Sequence, residues 1–145
     1  MRLEELDAVC RQAARDLLGR EQRPLPPAVV LPLAEATRVT TLPDFPDDDE
    51  GRVALLTRFA QDVMVPANAP AWGFVAEAEA GGVEVVVVVY GARRNAPMLT
   101  AAPLIDDGPG EFGQAEPLAP EAFPFLHPLQ HAADAATAPD VMPLS

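Results

Sequence analysis

The sequence predicts an α+β fold: a single domain with a mostly antiparallel sheet of about five strands, in the element order α-β-β-α-β-β-β-α, and helices packed on the sheet. Three observations lead there. Apolar residues recur at three- and four-residue spacing in two segments, Leu3 to Leu17 and Val53 to Val63, as on one face of a helix. The Ala- and Val-rich run from Ala71 to Gly91 breaks at Gly81-Gly82, a two-residue turn of the kind that joins twisted antiparallel strands. The 17 prolines cluster at 24–32, 43–46, 97–109 and 117–128, so regular structure must fit between them. With 145 residues, 49% apolar and 22% charged, the chain can bury roughly 70% of the surface its unfolded form exposes, enough for one core. That core is expected in residues 1–136, with 137–145 a loosely ordered C-terminal tail.

The first element places Leu3, Leu6, Cys10, Ala13 and Leu17 along one helical stripe, with Gly19 as its stop. After the Pro-rich link at 24–27, Ala28–Leu33 and Thr37–Leu42 read as two short strands around Ala34-Glu35-Ala36, with Pro32 marking an edge position or a bulge. The acids Asp44, Asp47, Asp48, Asp49 and Glu50 then crowd ahead of the second helix. Carboxylates suit a hard cation, but this run lacks the Gly, the spacing and the terminal Glu of a calcium loop. They are better explained by the positive end of a helix dipole, with Asp47 and Glu50 at the spacing of a capping box. The helix they open carries Val53, Leu56, Phe59, Ala60 and Val63 on its apolar side and ends before Pro66.

Counting outward from Gly81-Gly82 sets the register of the best-determined strand pair. One face pairs Glu79 with Glu84, Glu77 with Val86, Val75 with Val88 and Gly73 with Tyr90. The other pairs Ala78 with Val85, Ala76 with Val87, Phe74 with Val89 and Trp72 with Gly91. Each terminal glycine then faces an aromatic ring, which offsets the packing a strand glycine lacks. The Trp72/Phe74/Ala76/Ala78 face is apolar throughout and belongs under helices. The opposite face is apolar at Val75, Val88 and Tyr90, where a third helix, the Pro-rich tail or another subunit must cover it. Val85–Val89 is uncharged and β-prone, an aggregation hazard at an edge, so it is placed centrally. Met98–Ile105 is the next strand, reached through Ala92–Pro97. Asp106–Gly113 reads as a loop, and 120–136 contains a last helix, regular from about Pro128.

A net charge of −12 argues against a nucleic-acid backbone or an anionic membrane as the partner, since both need a basic surface. All ten basic residues are arginines at or before Arg94, a usage that points to a bacterial-like base composition, and seven acids follow. No run reaches the ~18 apolar residues of a membrane span, and MRLEELDAVCRQAARDLL lacks the continuous apolar core of a signal peptide, so a cytoplasmic location is expected. The single Cys10 excludes an internal disulfide framework and lies on the apolar stripe, where packing rather than reactivity is its expected role.

Two places could carry chemistry. Arg93-Arg94-Asn95 ends the central strand, where bidentate guanidinium donors suit a small anionic ligand, although pairing with the chain's own acids explains them more simply. His127, His131 and Asp134 fall at i, i+4 and i+7, ligands that zinc or iron accepts, but Pro124 and Pro128 stand against a helical His127 and the HExxH pattern is missing. No metal and no cofactor is therefore assigned. Gly81-Gly82 and the glycines at 108–110 follow neither the phosphate-loop nor the dinucleotide pattern, and the one serine, Ser145, excludes serine-hydrolase chemistry.

The element order is similar to that of small dimeric adaptor domains of the roadblock type and, more loosely, to the acidic chaperones of type III secretion. That resemblance is of topology, with no shared motif, and it implies an interaction domain. The expected function is accordingly a non-enzymatic interaction or regulatory domain that binds a protein partner or a second copy of itself, the dimer burying the Val75/Val88/Tyr90 end or a helix. A binder of small anions through Arg93 and Arg94 is the second reading and a metal-dependent enzyme the third.

Overall fold

The computed structural model describes residues 2–20, 24–105, 108–119 and 121–137. It is an α+β fold in which a curled antiparallel sheet of seven strands carries helices on both faces. The helix α1 spans Leu3–Arg20, and the strands β1 and β2 span Ala28–Pro32 and Thr37–Thr41. A helical rod follows, made of α2 (Asp49–Phe59), a π turn (Ala60–Met64) and the short α3 (Val65–Ala67). The strands β3 (Ala71–Ala80), β4 (Val83–Ala92) and β5 (Asn95–Ile105) form the body of the sheet. Two-residue strands β6 (Gly108–Pro109) and β7 (Glu116–Pro117), a 3-10 turn and α4 (His127–Ala135) are the remaining elements among the described residues. The expected tail beyond Thr137 lies outside the described residues.

The sheet order is β2-β1-β3-β4-β5-β6, with β7 also paired to β5. The valine strand β4 is therefore interior, and Val86, Val88 and Val89 have no exposed surface. Its pairing with β3 has the register read from the glycine turn, from Ala80 opposite Val83 to Trp72 opposite Gly91, and both Gly81 and Gly82 take positive φ. Side chains alternate between two cores. On one face α1 lays Leu6, Cys10, Ala13, Ala14 and Leu17 against Val75, Val86, Val88 and Tyr90. On the other, α2 and α4 lay Leu56, Phe59 and Leu129 against Trp72, Phe74 and Val89. The apolar end at Val75, Val88 and Tyr90 is thus covered by the chain's own first helix, and no apolar surface is left there for a second subunit.

Several boundaries differ from the sequence reading. Pro32 lies in an interior strand rather than at an edge: β3 pairs with β1 only at Ala28–Val30, so no ladder bond is asked of the proline on that side. Strand β5 begins at Asn95 rather than Met98, because Arg93-Arg94 makes a tight turn with Arg94 at φ +63 and the register shifts once between Tyr90 and Ala92. Of the expected loop Asp106–Gly113, residues 106 and 107 lie outside the described residues, and the rest is not a free loop. Gly110, Gly113 and Leu118 donate their N–H groups to the carbonyls of Pro103, Ala101 and Pro97, so a Pro- and Gly-rich segment lines the β5 edge where a regular strand could not.

The cap of α2 is Asp48 rather than Asp47. Its Oδ2 accepts the Gly51 N–H at 3.3 Å, and Gly51 is close-packed beneath it, since a Cβ there would stand 2.7 Å from Asp48 Oδ1 and 2.8 Å from Pro46 Cβ. The rod does not stop before Pro66 but continues to Ala67, and Asn68 ends it in the left-handed conformation at φ +53. Asn68 Oδ1 in turn accepts the Thr137 N–H at 2.9 Å, tying the end of α4 to the end of the rod. Among the described residues no helix is long and apolar enough to cross a membrane.

Candidate functional site

A π turn interrupts the rod ahead of Pro66. Within it the Val65 N–H bonds to Ala60 O, five residues back, which inserts one residue into the helical repeat just ahead of Pro66. A proline ring would otherwise press on the carbonyl four residues earlier, and the wider turn gives it room. The insertion advances the apolar stripe by one position. Met64, at 1% exposure, joins the core, the expected Val63 stays partly buried against it, and Val65 faces outward at 60% exposure.

An open groove runs between the rod and α4. Val53, Thr57, Ala60, Gln61 and Val65 line it from the rod; His127, Pro128, His131, Ala132 and Ala135 line it from α4, around a volume of about 580 Å³. Val53 is 39% exposed, so apolar surface lies open toward both ends of the rod wall. Asp49 and Glu50 precede Val53 by four and three residues, which places carboxylates on the continuation of that wall. The volume falls within the range of ligand sites, but the lining offers apolar surface and few polar groups.

On the α4 wall, His127 is helical after all, and Pro128 occupies the first turn, where its missing N–H costs nothing. The two imidazoles are exposed and stack with centroids 6.1 Å apart and planes 20° from parallel. Asp134 does not join them in a cluster. Its Oδ1 accepts the Arg94 backbone N–H and Gln130 Nε2, both at 2.9 Å. Among the described residues no three His, Cys, Asp or Glu groups converge as metal ligands would.

The arginine turn is bound into the same clamp. Arg93 N–H donates to Pro70 O at 2.8 Å, and Asn95 Nδ2 to Arg93 O at 2.9 Å. Gln130 spans the junction: its Oε1 accepts the Nε1–H of the fully buried Trp72, and its Nε2 also donates to Ala92 O. The Arg94 backbone amide is taken by an internal carboxylate, which fixes the turn and leaves the guanidinium groups out of the clamp's hydrogen bonds described above. Arg93 is half-buried and Arg94 exposed.

On the α1 side the polar groups brace the helix. Asp7 accepts the Tyr90 hydroxyl at 2.6 Å and pairs with Arg11 at 2.5 Å. Arg11 and Arg15 both lie over the Phe112 ring. Burial, with a smaller contribution from Asp7, pushes the Cys10 thiol up to about 12, so it is held neutral and unreactive.

No family model, curated protein or solved structure matches this chain. The site must then be read from its own chemistry. Sequence periodicity placed Ala60 in the core, where it is buried, and Val53 on the same side, where it is 39% exposed, and it gave Val65 and Gln61 no role. The available signal was the period itself: at about 100° per residue Val65 falls opposite Leu56, an apolar residue on the outer side of the helix.

Proposed function

We propose that this chain is a non-enzymatic interaction domain, adaptor- or chaperone-like in use, whose docking surface is the groove between the α2 rod and α4. One observation carries the reading: apolar side chains, Val53 and Val65 foremost, stand exposed along a continuous trough while both faces of the sheet are closed by the chain's own helices. The occupant is an amphipathic helical segment of a partner protein carrying basic residues. Its apolar side matches the trough, and its charge matches a chain of net −12 with Asp49 and Glu50 beside the groove. The rod wall from Val53 to Val65 rises about 18 Å at 1.5 Å per residue, room for roughly three helical turns.

Titration with an amphipathic Leu/Lys helical peptide, followed by NMR, tests the docking reading. Shifts should concentrate at Val53, Ala60, Val65, His127 and His131, and Val65→Asp should weaken binding at least about tenfold. Shifts elsewhere, equal binding of a Leu/Glu peptide, or a groove filled by a second copy of the chain at micromolar concentration would each overturn it.

A further inference from the structure

His127 and His131 have a role open to them that does not depend on the docking reading. They occupy successive turns of α4 on one exposed face, the spacing at which a helix directs two imidazoles toward a common point in solvent. The rings are already side by side, 6.1 Å between centroids and 20° from parallel, and neither makes a hydrogen bond to any described residue. Their backbone is held in place. Pro128 stiffens the first turn, Leu129 between them is fully buried against the sheet, and Gln130 is clamped to Trp72 and Ala92. Only side-chain rotation separates the stacked pair from one in which both rings give a nitrogen to a single ion at about 2.0–2.1 Å.

We propose that His127 and His131 form a bidentate imidazole site for a borderline divalent cation, Zn(II), Ni(II) or Cu(II), on the α4 wall of the groove. Imidazole nitrogen is the donor these ions prefer, and hard cations such as Mg(II) and Ca(II), which take oxygen, are refused by it. The rest of the coordination sphere is water. Asp134 supplies no third ligand, because its Oδ1 is held by Arg94 and Gln130. Two donors on one rigid face gain through effective concentration: once the first is bound, the second closes the chelate within the molecule.

The probe is the metal alone. Calorimetric titration of the full chain with Ni(II), and separately with Zn(II), should show one equivalent bound. His127→Gln and His131→Gln should each weaken binding on the order of 100-fold. Both side chains are exposed, so circular dichroism of the variants should match the parent, and the metal should raise the melting temperature of the parent only. Mg(II) in excess should not compete. Binding of Ni(II) that survives either substitution, or that Mg(II) displaces, would place the ion on the acids at 44–50 or at the amino terminus and overturn the proposal, as would the absence of binding. Because no peptide is present, failure here leaves the docking reading standing, and failure of docking leaves this site standing.

Discussion

At Gly73 the register read from sequence was right and the packing partner was not. Gly73 does lie opposite Tyr90, but the space above it is filled by the Cys10 sulfur of α1, with Val30 Cβ 3.3 Å from where a Cβ would stand. The glycine admits the helix rather than sheltering under the aromatic ring. At Gly91 the Trp72 ring does lie over the would-be Cβ, 2.8 Å away, but Gln130 Oε1 of α4 stands closer still, so both the ring and the helix require the glycine. Gly73→Ala should therefore cost about 1–3 kcal/mol by overpacking, measured from urea midpoints. In a Cys10→Ala background the same change should cost less than about 1 kcal/mol, since the two substitutions share one contact. Equal costs in both backgrounds would show that Cys10 does not fill this space. A one-dimensional chain reveals which residues oppose each other across a tight turn. It does not reveal which side chain of a distant helix arrives on top of them.

The same division holds for whole elements. Each helix and the three long strands follow from periodicity and from where prolines interrupt it, because those patterns are local. The π turn was illegible for a different reason: it arises from a conflict between Pro66 and the core demand for Met64, and a regular 3.6-residue period cannot represent an inserted residue. The candidate groove was hidden for another reason: it forms only where α4 docks beside the rod, and its two walls lie 60 or so residues apart in the chain. The α2 cap was misplaced by one residue because Asp47, Asp48 and Asp49 are chemically equivalent, and only the Gly51 N–H and the packing of Pro46 choose among them. Asp48→Ala should destabilise the protein by about 1 kcal/mol, within a range of roughly 0.5–2. Asp47→Ala, judged in the same thermal or urea unfolding series, should lie within about 0.5 kcal/mol of the parent. The reverse ranking would return the cap to Asp47.

For the molecule as a whole, the layered arrangement is what assigns a purpose to each surface. Valines on a strand that is apolar on both faces need cover on both faces, and α1 on one side with the rod and α4 on the other supply it. The sequence left the cover of the Val75, Val88 and Tyr90 end open among a helix, the tail and a second subunit, because helix-to-sheet docking depends on contacts more than 60 residues apart, such as Asp7 with Tyr90. With α1 in place that end is buried within the chain, whereas the apolar surface at Val53 and Val65 is open at the groove. The hairpin tip is where the layers end: Glu79 to Glu84 are exposed, Val83 at 51%. Native-state hydrogen exchange read residue by residue tests this arrangement most directly. The amides of Val86 to Val89 should exchange only through global unfolding and be the slowest in the protein, whereas the amides at Gly81-Gly82 and along the outer side of β2 should exchange through local fluctuation. Exchange of Val86 to Val89 as fast as that of β2 would mean that one face of the valine strand is open, and would contradict the account.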